Sequence, residues 1–301
     1  MHAIEIPDAN IKRYIPSDLS ECDAQQYMDM CELIFKYQNE TITYDELRTH
    51  AVYKFMKMKP SKSLDQDEEK FSNVYFISEL IDDFFEVDEK GNKTIKQYYI
   101  HNPVPKFKPL WKTFYGPSDS FMNMTFGEYT DALRLFHDFH ATGNLEILKL
   151  ITAIFYRPKK AFIFIKKRQD DYNGDIREAY NPYNLEARAK ELKYAPIGFL
   201  YGFYLLFASF QKYLTDAKIM WSGKQIDFSI LFESSGEDSS TETPGIGMDA
   251  IAFSIAESGA FGTIDEVRKA DFWPIMIRMY DLRRMDLERQ KQEKDAANKQ
   301  T

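Results

Sequence analysis

A mainly α fold with a multi-helix, bundle-like core is predicted by three features of the sequence. Apolar residues recur at steps of three or four over long stretches, the spacing that lines up one face of a helix. Thr43 with Glu46, Thr125 with Glu128 and Thr263 with Glu266 have capping-box spacing: the hydroxyl accepts from an early helical amide and the glutamate returns a bond to the cap amide. Finally, 13 Gly and 12 Pro in 301 residues are too few for a strand-and-turn architecture.

The run from Thr125 to Pro158 is the centre of this prediction. Phe126, Tyr129, Leu133, Phe136 and Phe139 or His140 make an aromatic stripe that Gly143 interrupts. Leu145, Leu148, Ile151 or Thr152 and Phe155 open a second helical face, and Ile147, Leu150 and Ile154 widen it until Pro158 ends it. An apolar sector that wide belongs inside a helical core.

From the N-terminus, residues 1–20 read as an extended lead-in with Pro7 and Pro16. Ser20 and Asp23 mark a helix to about Tyr37, and Thr43 with Glu46 starts a second helix toward Met58, so the two form an antiparallel hairpin. Asp65 and Glu68 fit a third, amphipathic helix. Near residues 85–100 the period falls to two on either side of Gly91, which predicts a small β-hairpin. Pro103, Pro105 and Pro109 place a boundary at about 105.

AFIFI, Ala161–Ile165, fits a strand or the start of a buried helix equally well. A further helix starts near Asn184. Between Lys193 and Lys212 there is no formal charge, and Ile197–Phe210 is almost continuously apolar. This is the one membrane candidate, but at about 14 residues it falls short of the roughly 20 a span needs, and a central core helix is the better reading. Gly198 and Gly202 give it the GxxxG spacing that permits close helix approach. Ser222–Ser229 reads as a turn, ESSGEDSSTETP as a flexible acidic loop, Met248–Glu257 as a short helix, and the chain beyond Met285 as a charged helical extension that frays. Four regions follow: 1–105, N-terminal and helical with the small hairpin; 106–232, the central helical core; 233–247, an acidic linker or loop; and 248–301, C-terminal and helical with a charged tail.

Net charge is -8, so the bulk field repels phosphate polymers and nucleic acid is not an expected partner. Lys159, Lys160, Lys166, Lys167 and Arg168 flank AFIFI as a solvated basic face. Cys22 and Cys31 are the only cysteines, and without a dense cysteine framework or an N-terminal secretory run the expected compartment is a reducing cytoplasm.

No HExxH, Walker loop, dinucleotide fingerprint, GxSxG or CxxC occurs, so neither an enzyme nor a cofactor is expected. His137 and His140 lack an identifiable third ligand. Asp82, Asp83 and Glu86, and Asp170, Asp171 and Asp175, read as solvated faces, and Cys31 with His50 as residues at the core edge. Binding suits the residues better. Trp111, Phe114 and Tyr115 sit beside the Gly116-Pro117 turn, and Trp273, Met276, Met279, Tyr280, Arg283 and Arg284 combine residue types favoured at interface cores. These nine are the candidate partner-binding residues, with core packing the alternative for the apolar ones.

The run Trp111–Asp119, the TFGEY start at Thr125, the Ile154-Phe-Tyr-Arg-Pro158 finish and Phe261-Gly-Thr-Ile-Asp-Glu-Val267 resemble functionally uncharacterised proteins of Bacteroidetes phages and prophages. These are similar in type to tail-assembly proteins that handle the tape-measure protein, and the likeness covers roughly residues 100 to 290. The resemblance implies a non-enzymatic assembly chaperone in the cytoplasm of an infected or lysogenic host, binding the tape-measure protein or another tail component, with homo-oligomers an open option. The alternatives are a structural connector or tail component of the virion and, ranked below it, an enzyme with a dispersed site.

Overall fold

The computed structural model describes residues 1–6, 11–58, 68–88, 91, 93–168, 172, 174–221, 223–232 and 248–298. It is mainly helical, and the described strands form four two-stranded antiparallel ribbons.

The first of these ribbons replaces the expected unpaired lead-in. β1 (His2–Ile6) pairs with β2 (Ile11–Ile15), His2 opposite Ile15. A lone ribbon is marginal in water, and this one is held because Ile15 is buried and Ile4 packs against the core. α1 (Ala24–Gln38) is capped by Asp23, whose carboxylate accepts from the amides of Gln25 and Gln26 while the Gln26 side chain returns the bond. Ser20, the expected cap, belongs instead to the short 3₁₀ turn Leu19–Glu21, capped by Asp18. α2 (Tyr44–Phe55) starts at the Thr43 and Glu46 box as predicted and packs back on α1.

α3 (Glu68–Ser78) tightens into a 3₁₀ turn over Glu79–Phe84; Asp65, proposed as part of its start, lies outside the described residues. The predicted hairpin follows as β3 (Phe85–Val87) and β4 (Lys93–Ile95), with Gly91 at φ +83° in the connection. β5 (Lys106–Phe107) pairs with β6 (Phe114–Tyr115).

α4 (Phe126–Thr142) begins at the Thr125 and Glu128 box and ends at Gly143, which is left-handed at φ +65°. α5 (Leu145–Phe155) packs against it, with Leu148, Ile151, Thr152, Ile154 and Phe155 buried. AFIFI settles as the single turn α6 (Ile163–Lys166), followed later by α7 (Leu185–Glu191).

The apolar run becomes α8 (Ile197–Asp216), enclosed by α1, α5 and the 3₁₀ turn Phe228–Leu231. Among the described residues no helix is long and apolar enough to cross a membrane. Phe203, Phe207 and Phe210 of α8 meet Phe121, Phe155 and Phe272 in an aromatic centre. After α8, the expected turn at 222–229 is largely a hairpin of β7 (Lys218–Trp221) and β8 (Lys224–Asp227). The acidic linker at 233–247 lies outside the described residues.

α9 (Met248–Glu257) and α10 (Ile264–Lys269) lead into α11 (Phe272–Asn298), which is helical as far as Asn298. Pro274 falls in the first turn of α11, where its missing amide removes no helical hydrogen bond. Residues from all three expected helical regions, Ile15 to Met279, share one apolar cluster, and α1 packs on α8 across the boundary expected at 105.

Candidate functional site

The nine candidate residues separate into three groups. Phe114, Trp273, Met276 and Met279 are buried, so they serve the core and are not a docking surface. The step of three from Trp273 to Met279 points these side chains inward, where Trp273 packs on Phe210 and Phe228 and its indole N–H donates to the Ser120 carbonyl at 3.2 Å. Tyr115 is half-buried and fixed by its backbone bonds to Arg157. Trp111, 92% exposed in the loop between β5 and β6, stands apart from the α11 residues in sequence and is fully available to solvent.

Tyr280 and Arg284 lie together at a groove. It has a volume of about 530 Å³ and runs between α11 and the β7–β8 hairpin, with Trp221 and Ile226 on one side and Ile277, Arg278, Tyr280 and Arg284 on the other. The Tyr280 ring meets Phe228 edge-on, which ties the groove wall to the core. Arg284 pairs with Asp281 at 3.0 Å and reaches Glu288 at 3.4 Å, and Arg283 donates from Nε to the Ile230 carbonyl at 3.3 Å. The Arg278 Nε is enclosed and has no hydrogen-bond partner among the described residues. The same guanidinium approaches Asp281 through another nitrogen, at 3.6 Å. The groove therefore offers an aromatic and aliphatic wall together with Lys224 and the Asp281-paired Arg278 and Arg284.

A second, larger cleft of about 880 Å³ lies beside the start of α4 and the segment 175–188. Under it sits a charged network that the sequence did not reveal. Glu128 accepts the backbone amide of Thr125 at 2.7 Å through one oxygen and the Arg157 guanidinium through the other. Arg177 makes a forked contact with Asp175, at 2.9 and 3.0 Å, and donates to the Phe155 and Asn123 carbonyls. All four side chains are buried. Burial holds the Arg157 guanidinium below its ordinary pKa; the attraction of Glu128 opposes this and the charge of Arg177 adds to it. Glu128 was legible only as a cap, and Asp175 only as one of an acidic group read as a solvated face. Asp175 is instead buried and paired, while Asp170 and Asp171 lie outside the described residues. The network ties β6, α4, α5 and the 175–177 segment together, and its groups are engaged with one another.

Cys31 is fully buried under Gly202, and His50 is exposed on α2. His137 and His140 are both exposed on α4, and among the described residues no group of three His, Cys, Asp or Glu is placed to hold a metal ion. Asp82 is drawn in by Tyr44, Arg48 and Lys93, not set facing Glu86 across a cleft. No protein-family model, curated protein or solved structure matches the chain.

Proposed function

We propose that this chain is a non-enzymatic phage tail-assembly protein that transiently binds and shields the tape-measure protein, seating an apolar or helical segment in the groove between α11 and the β7–β8 hairpin. The observation that carries the binding part is the groove itself, where Trp221, Ile277 and Tyr280 supply an apolar wall beside Arg278 and Arg284. Aromatic and arginine side chains are the types that dominate binding energy at protein interfaces. The tail-assembly part is supported by the sequence resemblance across roughly residues 100 to 290.

A native pull-down of the tagged chain from cells expressing its genomic neighbours, with mass spectrometry and light scattering on each recovered complex, tests this reading. A soluble complex with a long tape-measure-like chain, absent from purified virions, supports it. A stable ring of this chain retained in virions rejects it in favour of a structural connector.

A further inference from the structure

The ten residues KKAFIFIKKR, 159–168, carry five positive charges and no negative one in a chain whose net charge is -8. The fold leaves most of these residues exposed, and together they form a tip. Ile163 is buried and anchors α6, while Phe162, Phe164 and Ile165 are 71%, 66% and 52% exposed. Lys159, Lys167 and Arg168 are exposed on either side of them in sequence. Phe162 is left-handed at φ +54°, a conformation that a bulky aromatic adopts only when its surroundings impose it. Among the described residues, the nearby acids have other partners: Asp175 is occupied by Arg177, and Glu178 pairs with Arg188 at 2.7 Å; Asp170 and Asp171 lie outside the described residues. Lys160 is tethered to the Asp175 carbonyl at 2.9 Å, which fixes the base of the loop.

We infer that this tip docks on an anionic lipid surface, with Phe162, Phe164 and Ile165 entering the boundary between headgroups and acyl chains and the flanking lysines and Arg168 meeting the lipid phosphates. Two features select a bilayer over a protein partner. The exposed apolar group is three side chains, whereas each partner of a stable protein interface contributes roughly 20–30 residues. In addition, cations bracket the apolar residues on both sides, which matches the layering of a bilayer surface, apolar below and negatively charged at the headgroups. The tip is separate in sequence from both α11 and the buried helix α8, so this inference stands whether or not the groove binds a tape-measure segment.

Flotation of the full chain with phosphatidylglycerol-rich vesicles and with pure phosphatidylcholine vesicles tests it. Binding is expected only to the anionic vesicles and should weaken as salt rises. Phe162→Asn with Phe164→Ser, in which asparagine accepts the left-handed backbone, should lower vesicle binding by at least about fivefold. Lys167→Glu with Arg168→Glu should lower it similarly, and both pairs should leave the thermal melt unchanged because the replaced side chains are exposed. No flotation of the wild-type chain, equal binding to both vesicle types, or binding untouched by the substitutions overturns the inference. So does a self-association in size-exclusion chromatography that the Phe162 and Phe164 substitutions abolish in the absence of lipid, which would make the tip an interface between copies of the chain.

Discussion

Gly198 of α8 lies so close to Met28 of α1 that a Cβ added to the glycine would sit 2.0 Å from the Met28 carbonyl oxygen. The obstacle is backbone, so it cannot swing aside. The pairing of α1 with α8 thus depends on the GxxxG spacing within the helical core, bringing together its N-terminal and central parts. Gly198→Ala gains about 1 kcal/mol of helix propensity but must separate the helices, and a net loss of about 2 kcal/mol or more is expected in urea denaturation. Gly202→Ala should lose less, since its nearest neighbours are the Tyr27 ring and the Cys31 sulfur, side chains that can shift. Equal tolerance at both positions would contradict the packing.

Removing Glu128 leaves the Arg157 guanidinium buried without its carboxylate and opens the α4 cap. Glu128→Ala is expected to lower stability by about 3–5 kcal/mol, the range for stranding one member of a buried ion pair. Replacing Glu128 and Arg157 together with apolar residues should lose less than the sum of the single changes. Denaturation of the four proteins of this double-mutant cycle checks both statements, and additive losses would mean that the two side chains act independently.

Burial pushes both thiols upward, Cys31 well above its ordinary pKa, and neither is accessible enough to form a reactive thiolate near neutral pH. Native protein should therefore react slowly with a thiol reagent such as 5,5′-dithiobis(2-nitrobenzoate), and both cysteines should become reactive together when the chain unfolds. Prompt labelling of Cys31 under native conditions would show that α1 and α8 separate readily.

At Asp82, partial burial opposes ionisation, but hydrogen bonds from Tyr44 and Lys93 and the charges of Lys93 and Arg48 prevail and hold the carboxyl below its ordinary 3.8. Because the folded pKa is depressed, this carboxylate contributes stability that is present above pH 3.8 and is lost as the pH falls from there through the folded value. Asp82→Asn should be less stable than wild type at neutral pH, with the difference shrinking as the pH falls through that window. The site is partly exposed, so the effect should be modest and should weaken with salt. Thermal melts from pH 7 to pH 3 measure it; a difference that grows on acidification would reverse the assigned sign.

The helices were legible because their signals are local. Three threonine–glutamate boxes and the 126–155 stripe need only a few consecutive residues to be recognised, and each appears where it was expected. The first ribbon was missed because Pro7 and Pro16 suggest an open lead-in, and only the burial of Ile15 against distant residues makes the pairing stable. The same limit applies to the candidate site. Residue type marked Tyr280 and Arg284 as interface material, but the other wall, Trp221 and Ile226, is more than fifty residues away in sequence. Nothing local distinguishes Trp273 and Met276, which turn inward, from their neighbour Ile277, which lines the groove. The Glu128, Arg157, Asp175 and Arg177 network spans four segments and leaves no periodic trace in the sequence.

The most direct measurement is the affinity of any tape-measure segment recovered in the pull-down for the wild-type chain and for Tyr280→Ala with Arg284→Ala, read by calorimetry beside thermal melts. If the groove holds that segment, the double variant should bind at least about tenfold more weakly while still unfolding cooperatively, with its melt lowered only by the Tyr280–Phe228 contact that is lost, since Tyr280 is half-buried and Arg284 is exposed. Undiminished affinity in a folded variant would contradict binding through the groove.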